Sequence, residues 1–361
     1  MSTAIGRRDV LRFRVGAQQF DRTEGTLHDT AILDIGVQDT GPDGGLWALA
    51  VRGPPPPAVQ QLSTVWTIRG APHLYRRADL PVVARAVAPL SEADAGKRIY
   101  DAAKPLKAAG IDSLAALDQV ASAMRQVVTQ PMVKGEVSQR VTELLPEPFL
   151  RYCRPCHATH PYEMPFRLAA LGAGLELQPG TSPPVLMPIA HFAPAASHPP
   201  AVDPIRAYLR LLGPATPKHV AAYLDAPVAD VRARWPDDAV TVSVEGEARS
   251  VLAADEARLR TGAASPLRLL GPFDLFLQAR DRQLLVADPA HAKSLWPVLG
   301  RPGAVLVGGE IVGIWRPRKA GTKFRIQVEL WTKAPRSALH EQAERLAAHR
   351  GLPLAGVDIA P

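Results

Sequence analysis

The sequence predicts an α+β chain of several modules, on three observations. Helical periodicity and strand alternation fall in separate segments. A run of three short helices, each opened by a cap or a proline, leads into a hairpin pattern at 203–253. The last hundred residues alternate apolar and polar side chains around a two-glycine turn. A length of 361 residues, 47% of them apolar, suits two to four compact units with ordinary cores.

Residues 7–20 read as a helix, with Val10, Phe13 and Ala17 on one face and Leu11 and Val15 beside them. An apolar stretch at 31–37 ends in the glycine-rich turn GPDGG at 41–45. A second apolar run at 46–51 stops at the rigid polyproline loop Pro54–Pro57. Residues 65–69 read as a strand, ended by Gly70 and Pro72. A second block opens near Ser91, which with Asp94 resembles a capping box. Helices are expected at 113–129 (Leu114, Leu117, Val120, Met124, Val127), at 134–145 and at 164–171. The proline-rich stretch 179–200 reads as a linker.

At 203–253 the signals are densest. Asp203-Pro204 supplies a cap followed by proline at the first helical position, and Thr216-Pro217 repeats it. Pro227 opens a third helix carrying Arg232 and Arg234. Strands at 239–244 and 248–253 flank the turn Glu245-Gly246-Glu247. Three helices and then a hairpin is the winged-helix order, and the third helix is the one that reads DNA in such units. Beyond it, Gly308-Gly309 joins two strands. Phe324, Ile326, Val328 and Leu330 then alternate with polar residues. Between Trp315 and Phe324 lies a basic segment with Arg316, Arg318, Lys319 and Lys323, followed by Arg325. Such a tip can reach a DNA groove. A helix at 337–349 is expected to close the chain.

Lys and Arg exceed Asp and Glu by 42 to 35, and the pI is about 9.6, which favours polyanionic partners and nucleic acid first. No run of about 18 apolar residues occurs, so no transmembrane helix and no membrane partner are expected. Residues 1–14 lack the apolar core of a signal peptide, and a cytoplasmic, nucleoid-associated location is expected. Two cysteines exclude a disulfide scaffold.

Three short motifs carry chemistry. Cys153-Arg-Pro-Cys156-His157 is followed by His160. Its spacing is that of a c-type haem attachment site, which export would have to accompany. Two thiolates with His160 or His157 make most of a zinc site, though no fourth ligand is visible. The plainer reading is two cysteines in a loop, with no cofactor required. Gln38-Asp39-Thr40 ends an apolar stretch, where polar side chains could hold a water, with Asp39 as a general base. Arg69-Gly70-Ala71-Pro72-His73 offers an arginine for phosphate and a histidine for proton transfer. P-loop, Rossmann, HExxH and G-x-S-x-G patterns are absent in a fitting context.

Five segments together resemble the tandem winged-helix DNA-binding family that includes AlkZ/YcaQ-type bacterial DNA glycosylases. They are RRDVLRFRVGAQQFDR (7–22), LDIGVQDTGPDGGLWAL (33–49), WTIRGAPHLYRRADL (66–80), LLGPFDLFLQARDR (269–282) and VLVGGEIVGIWRPRKAGTKF (305–324). The resemblance implies three tandem winged-helix units around a basic channel, with a C-terminal β-rich region. The corresponding spans are 1–88, 89–178, a linker at 179–200, 201–262 and 263–361. It also implies a monomeric DNA-repair hydrolase on double-stranded DNA that excises alkylated or crosslinked bases without a lysine Schiff base. Its catalytic motif is Q-x-Q or Q-x-D. Gln38 fits the first position, whereas Thr40 departs at the second, and Asp39 comes one residue early. A hydroxyl orients water with a weaker dipole and no charge. Whether the chain is an enzyme therefore turns on Thr40. The alternative is a regulatory or protective DNA-binding protein without catalysis. The DNA-facing residues would be Arg69, His73, Arg232, Arg234, Arg316, Arg318, Lys319 and Lys323.

Overall fold

A computed structural model describes residues 5–53 and 59–360, excepting the side chains of Val59, Lys319 and Ala320. The expected polyproline loop Pro54–Pro57 lies outside the described residues. The chain forms two compact units. The first comprises Met1–Pro57, Arg206–His219 and Pro236–Pro361, and the second Ala58–Ile205 and Val220–Trp235. The division runs through 203–253. The elements expected there appear in order: helices Pro204–Leu212, Pro217–Leu224 and Val228–Ala233, then strands Ala239–Val244 and Glu247–Leu252.

In the first unit, helix Arg7–Ala17 buries Val10, Phe13 and Ala17 against Val242, Val244 and Val251 of that hairpin. The hairpin turns at Glu245 and Gly246, with φ of 48° and 84°. Two consecutive positive φ values suit the twist of a two-residue hairpin loop. A five-stranded sheet runs in the order Arg268–Leu270, Gly303–Val307, Glu310–Ala320, Lys323–Leu330, Leu354–Ala360. The final pairing is parallel, bridged by helix Arg336–His349. A parallel pair needs such a crossover. The helix therefore does not close the chain. The strand after it is half-buried and rich in Ala and Gly, so it carries little alternation to read.

Among the described residues of this unit, two arginines, Arg14 and Arg52, have no exposed surface. Arg14 donates to both Asp281 oxygens at 3.0 and 2.7 Å and to the Gly213 carbonyl at 3.1 Å. Burial alone would raise the Asp281 carboxyl, but Arg14 and Arg249 hold it below the usual carboxylate range. Arg52 pairs with Asp274 through bonds of 2.8 and 2.7 Å, and both side chains are fully enclosed.

In the second unit, strands run in the order Pro72–Arg76, Leu62–Trp66, Leu175–Leu177, Val185–Pro188, Met132–Val133, all antiparallel. Helix Ser113–Val127 presents Ala116, Val120 and Met124 to a core shared with Val137, Val141, Phe149 and Phe166. Ser91 accepts the Asp94 N–H at 3.1 Å, while Asp94 reaches back to Leu90 N–H at 2.7 Å, one residue short of the expected reciprocal bond. The stretch expected as a linker, 179–200, contributes strand Val185–Pro188 to this sheet. Only Pro188, at the strand's end opposite Leu175, falls among the paired residues, so the ladder survives where the composition suggested none.

Candidate nucleic-acid interface

Gln38 ends the short strand Val37–Gln38, after a tight bend at Gly36 (φ 85°). Val37 is fully buried and Gln38 half-buried, as alternation requires. Side chains two apart share a face, and Gln38 Nε2 donates to Thr40 Oγ1 at 3.2 Å. Asp39 turns the other way. Its Oδ1 accepts the Gly45 N–H at 2.9 Å, at the start of helix Gly45–Ala50. An N–H at a helix start has no intrahelical partner, and the carboxylate supplies one. The three expected residues thus divide into an amide–hydroxyl pair and a carboxylate engaged by the backbone.

The basic segment 316–323 is not a loop. Strand Glu310–Ala320 pairs with Lys323–Leu330 up to the tip at Gly321 and Thr322. Arg316 stands opposite Gln327, and Arg318 opposite Arg325. Like charges directly across a ladder repel, yet here they share one face. Arg318 donates to Gln327 Oε1 at 2.9 and 2.6 Å, Arg325 to Asp358 at 2.8 Å, and Arg316 to the Gly300 carbonyl. Lys323 is exposed; Lys319 lies on the same ladder opposite Phe324.

Residues without a sequence motif join them in the first unit. Arg280 Nε and Arg301 Nε are buried with no hydrogen-bond partner among the described residues. Burial, then the charges of Arg282 and Arg280, lower the Arg301 pKa, so these guanidiniums lie close together. Arg301 also lies over the Phe273 ring at 5.0 Å. Nearby in sequence, Val298 and Leu299 are 100% and 86% exposed, which marks an apolar tip standing in solvent. Such a pair between Pro297 and Gly300 is too short to read as an element.

The remaining expected residues lie in the second unit. Arg232 and Arg234 are exposed on and just beyond helix Val228–Ala233, and Arg234 donates to the Leu90 carbonyl at 2.7 Å. Arg69 (φ 56°) donates to the Tyr223 carbonyl and lies over that ring at 5.0 Å. His73 corrects the expectation of a DNA contact, because its side chain is fully buried. Its Nδ1 lies 2.9 Å from the Ala71 carbonyl, which can only accept, so Nδ1 carries the proton. Cys153, Cys156 and His160 come together, whereas His157 stays out of that group.

Burial, and then the Arg69 charge, push the His73 pKa down to about 3. Between that value and the ordinary 6.5, the unfolded chain binds a proton that the folded chain refuses. Stability should fall as pH drops from 6.5 towards 3, by up to about 1.4 kcal/mol per pH unit, and stay level above 6.5. Urea unfolding at pH 7, 6 and 5 should give a shallower pH dependence in His73→Phe than in wild type. Equal slopes would mean that His73 accepts its proton while folded.

Mixed α+β units with cations gathered along a long hairpin suit a chain that grips a polyanion. A family model described as DNA glycosylase AlkZ-like matches residues 56–349. The chain belongs to this AlkZ-like DNA glycosylase family, and DNA is the partner the family implies. Among solved structures, Streptomyces sahachiroi DNA glycosylase AlkZ aligns over 100% of both chains, with a TM-score of 0.70 and 21% identity. That likeness is one of fold. No curated protein matches the chain. The span matched by the family model begins after Gln38, Asp39 and Thr40.

Proposed function

We propose that this chain is a monofunctional DNA glycosylase that removes alkylated or crosslinked bases from double-stranded DNA, with Gln38 and Thr40 holding the attacking water. The observation that carries this reading is the Gln38–Thr40 hydrogen bond, which sets an amide and a hydroxyl on one face. Water oxygen would bond to C1′ as the C1′–N bond breaks, and the bonding pair leaves with the base. An amide and a hydroxyl orient water but do not take its proton. They therefore suit a base that already carries positive charge, as an N7- or N3-alkylated purine does. Such a base departs neutral, and the proton of the water passes to solvent.

The hairpin cations, with Arg280, Arg282 and Arg301, would hold phosphates. Val298 and Leu299 would wedge apolar surface between bases. The caps at Asp203 and Thr216 and the Glu245-Gly246 turn support a winged helix at 201–262. The reading makes the protein a cytoplasmic, nucleoid-associated monomer. Among the described residues, no helix is long and apolar enough to cross a membrane.

Incubation with duplex bearing N7-methylguanine or a nitrogen-mustard crosslink, followed by alkali, should give strand breaks at the lesion. Tight binding without breaks would sink catalysis and favour a protective DNA-binding role, the reading to which the uncharged Thr40 lends weight. Arg318→Ala with Lys323→Ala should reduce the slope of log affinity against log salt by about 1.8, at about 0.9 per lost phosphate contact. An unchanged slope would take the hairpin out of the interface.

A further inference from the structure

We infer that Cys153, Cys156 and His160 form a zinc site. Their ligand atoms all lie within 4.8 Å of one another, close enough for one ion to gather them. The backbone explains why. Cys153 ends strand Leu150–Cys153, and His160 stands in the return strand Ala158–Pro161. The register pairs Cys153 with Ala158 and Arg151 with His160. Directly opposed residues share a face, and so do residues two apart along a strand. Cys153 and His160 therefore lie diagonally on one face. The turn between the strands brings Cys156 to the same group. His157, at φ 51°, takes the left-handed position that lets the chain reverse, and its N–H bonds to the Arg154 carbonyl at 3.3 Å.

The imidazole is oriented for a metal. His160 Nδ1 lies 2.9 Å from the Pro161 carbonyl, so Nδ1 carries the proton and Nε2 keeps its lone pair. A ligating histidine is commonly fixed in this way by a backbone oxygen on its other nitrogen. Two sulfurs and one nitrogen match the donor preference of zinc, and the hard cations calcium and magnesium prefer oxygen. Three protein ligands leave a fourth position for water or an incoming ligand. The three residues border a cavity of about 710 Å³ that also touches Lys134, Gln139 and Glu163. Lys134 and Arg167 already engage the Glu163 carboxylate, so water is the simplest fourth ligand. Zinc would tie the C-x-x-C turn to the return strand of a hairpin that has only four residues in each arm.

The full chain, purified under reducing conditions without chelator, should carry about one zinc per chain by mass spectrometry of metals. Replacement with cobalt should give a thiolate-to-cobalt charge-transfer band and the intense visible bands of tetrahedral coordination. Cys156→Ser, at an exposed position, and His160→Ala should each weaken zinc retention at least about tenfold, with circular dichroism unchanged. The inference fails if reduced, zinc-supplemented wild type keeps less than about half an equivalent after buffer exchange. It also fails if Cys153→Ala with Cys156→Ser retains zinc as wild type does. A Cys153–Cys156 disulfide that persists in reductant, read as a two-hydrogen mass deficit, would equally overturn it.

Discussion

Replacing Arg52 with methionine should destabilise the first unit by about 3–5 kcal/mol, the usual cost of stranding one member of a buried ion pair. The guanidinium has no exposed surface and makes five bonds. Two go to Asp274 at 2.8 and 2.7 Å, and one to the Ala48 carbonyl at 2.6 Å. The other two go to the carbonyl and side-chain oxygens of Gln18, both at 3.0 Å. It also lies over the Phe20 ring, 4.0 Å from the centroid. Methionine fills part of this volume but donates nothing. Asp274 would keep only backbone donors such as Phe276 N–H at 2.9 Å, and a lone buried carboxylate would have to shed its charge or unfold its surroundings. Adding Asp274→Leu should recover part of the loss, since no charge then remains unpaired. Recovery stays incomplete because the Gln18 and Ala48 oxygens also lose their donor. Urea unfolding measures both effects. A single-variant cost below about 1 kcal/mol would show that water reaches the pair and screens it.

This pair also shows where reading the sequence stops. Arg52 follows an apolar run, where an arginine normally marks the return to solvent. Its partner lies 222 residues away. Pairing over that distance depends on tertiary packing, which no local pattern encodes. The same holds for strand Leu354–Ala360, whose place is fixed by a crossover, and for Val185–Pro188, whose partners lie on other elements. What local rules govern was readable. Asp203 accepts the Ile205 N–H at 3.0 Å and Thr216 the His219 N–H at 3.3 Å, as capping residues should. The Gly308-Gly309 turn follows from two residues that tolerate positive φ, whereas at Glu245-Gly246 only the glycine does.

The candidate site was readable in the same uneven way. Gln38 and Thr40 stand out because polar residues end an apolar run, and their alternation with Asp39 follows from strand geometry. That Asp39 serves Gly45 could not be read, because it depends on where the next helix begins. His73 looked available in sequence and is enclosed in the fold. Arg280, Arg282 and Arg301 span 22 positions in no fixed pattern, so nothing in the sequence marked them as neighbours. The Cys153–His160 grouping was half visible. Spacing showed the two thiols, and only the hairpin register chose His160 over His157.

Gln38→Ala should lower base excision by about 10²–10⁴-fold while leaving DNA affinity near wild type, the range for losing one water-orienting dipole. The amide oxygen would act only as C1′ gains positive charge and water approaches it. Its loss should therefore fall on the chemical step and not on binding. Single-turnover excision of N7-methylguanine from duplex, beside a titration of the same duplex, separates the two. If Gln38→Ala weakens binding and leaves the single-turnover rate intact, Gln38 is a contact residue and the water belongs elsewhere. Thr40 sharpens the test. Thr40→Asp would place a carboxylate on the same face, where it stabilises a cationic sugar and can accept the proton that the hydroxyl cannot. Excision should then rise, most of all for bases that leave less readily than a cationic purine. Asp39→Asn supplies the counterpart. Asparagine still offers an oxygen to Gly45 N–H, so the turn should hold and activity should persist. A collapse of excision in Asp39→Asn, with folding intact, would make the Asp39 carboxylate the acceptor of a proton that otherwise passes to solvent. Persistence of activity there, together with its loss in Gln38→Ala, would assign the water to the amide–hydroxyl pair.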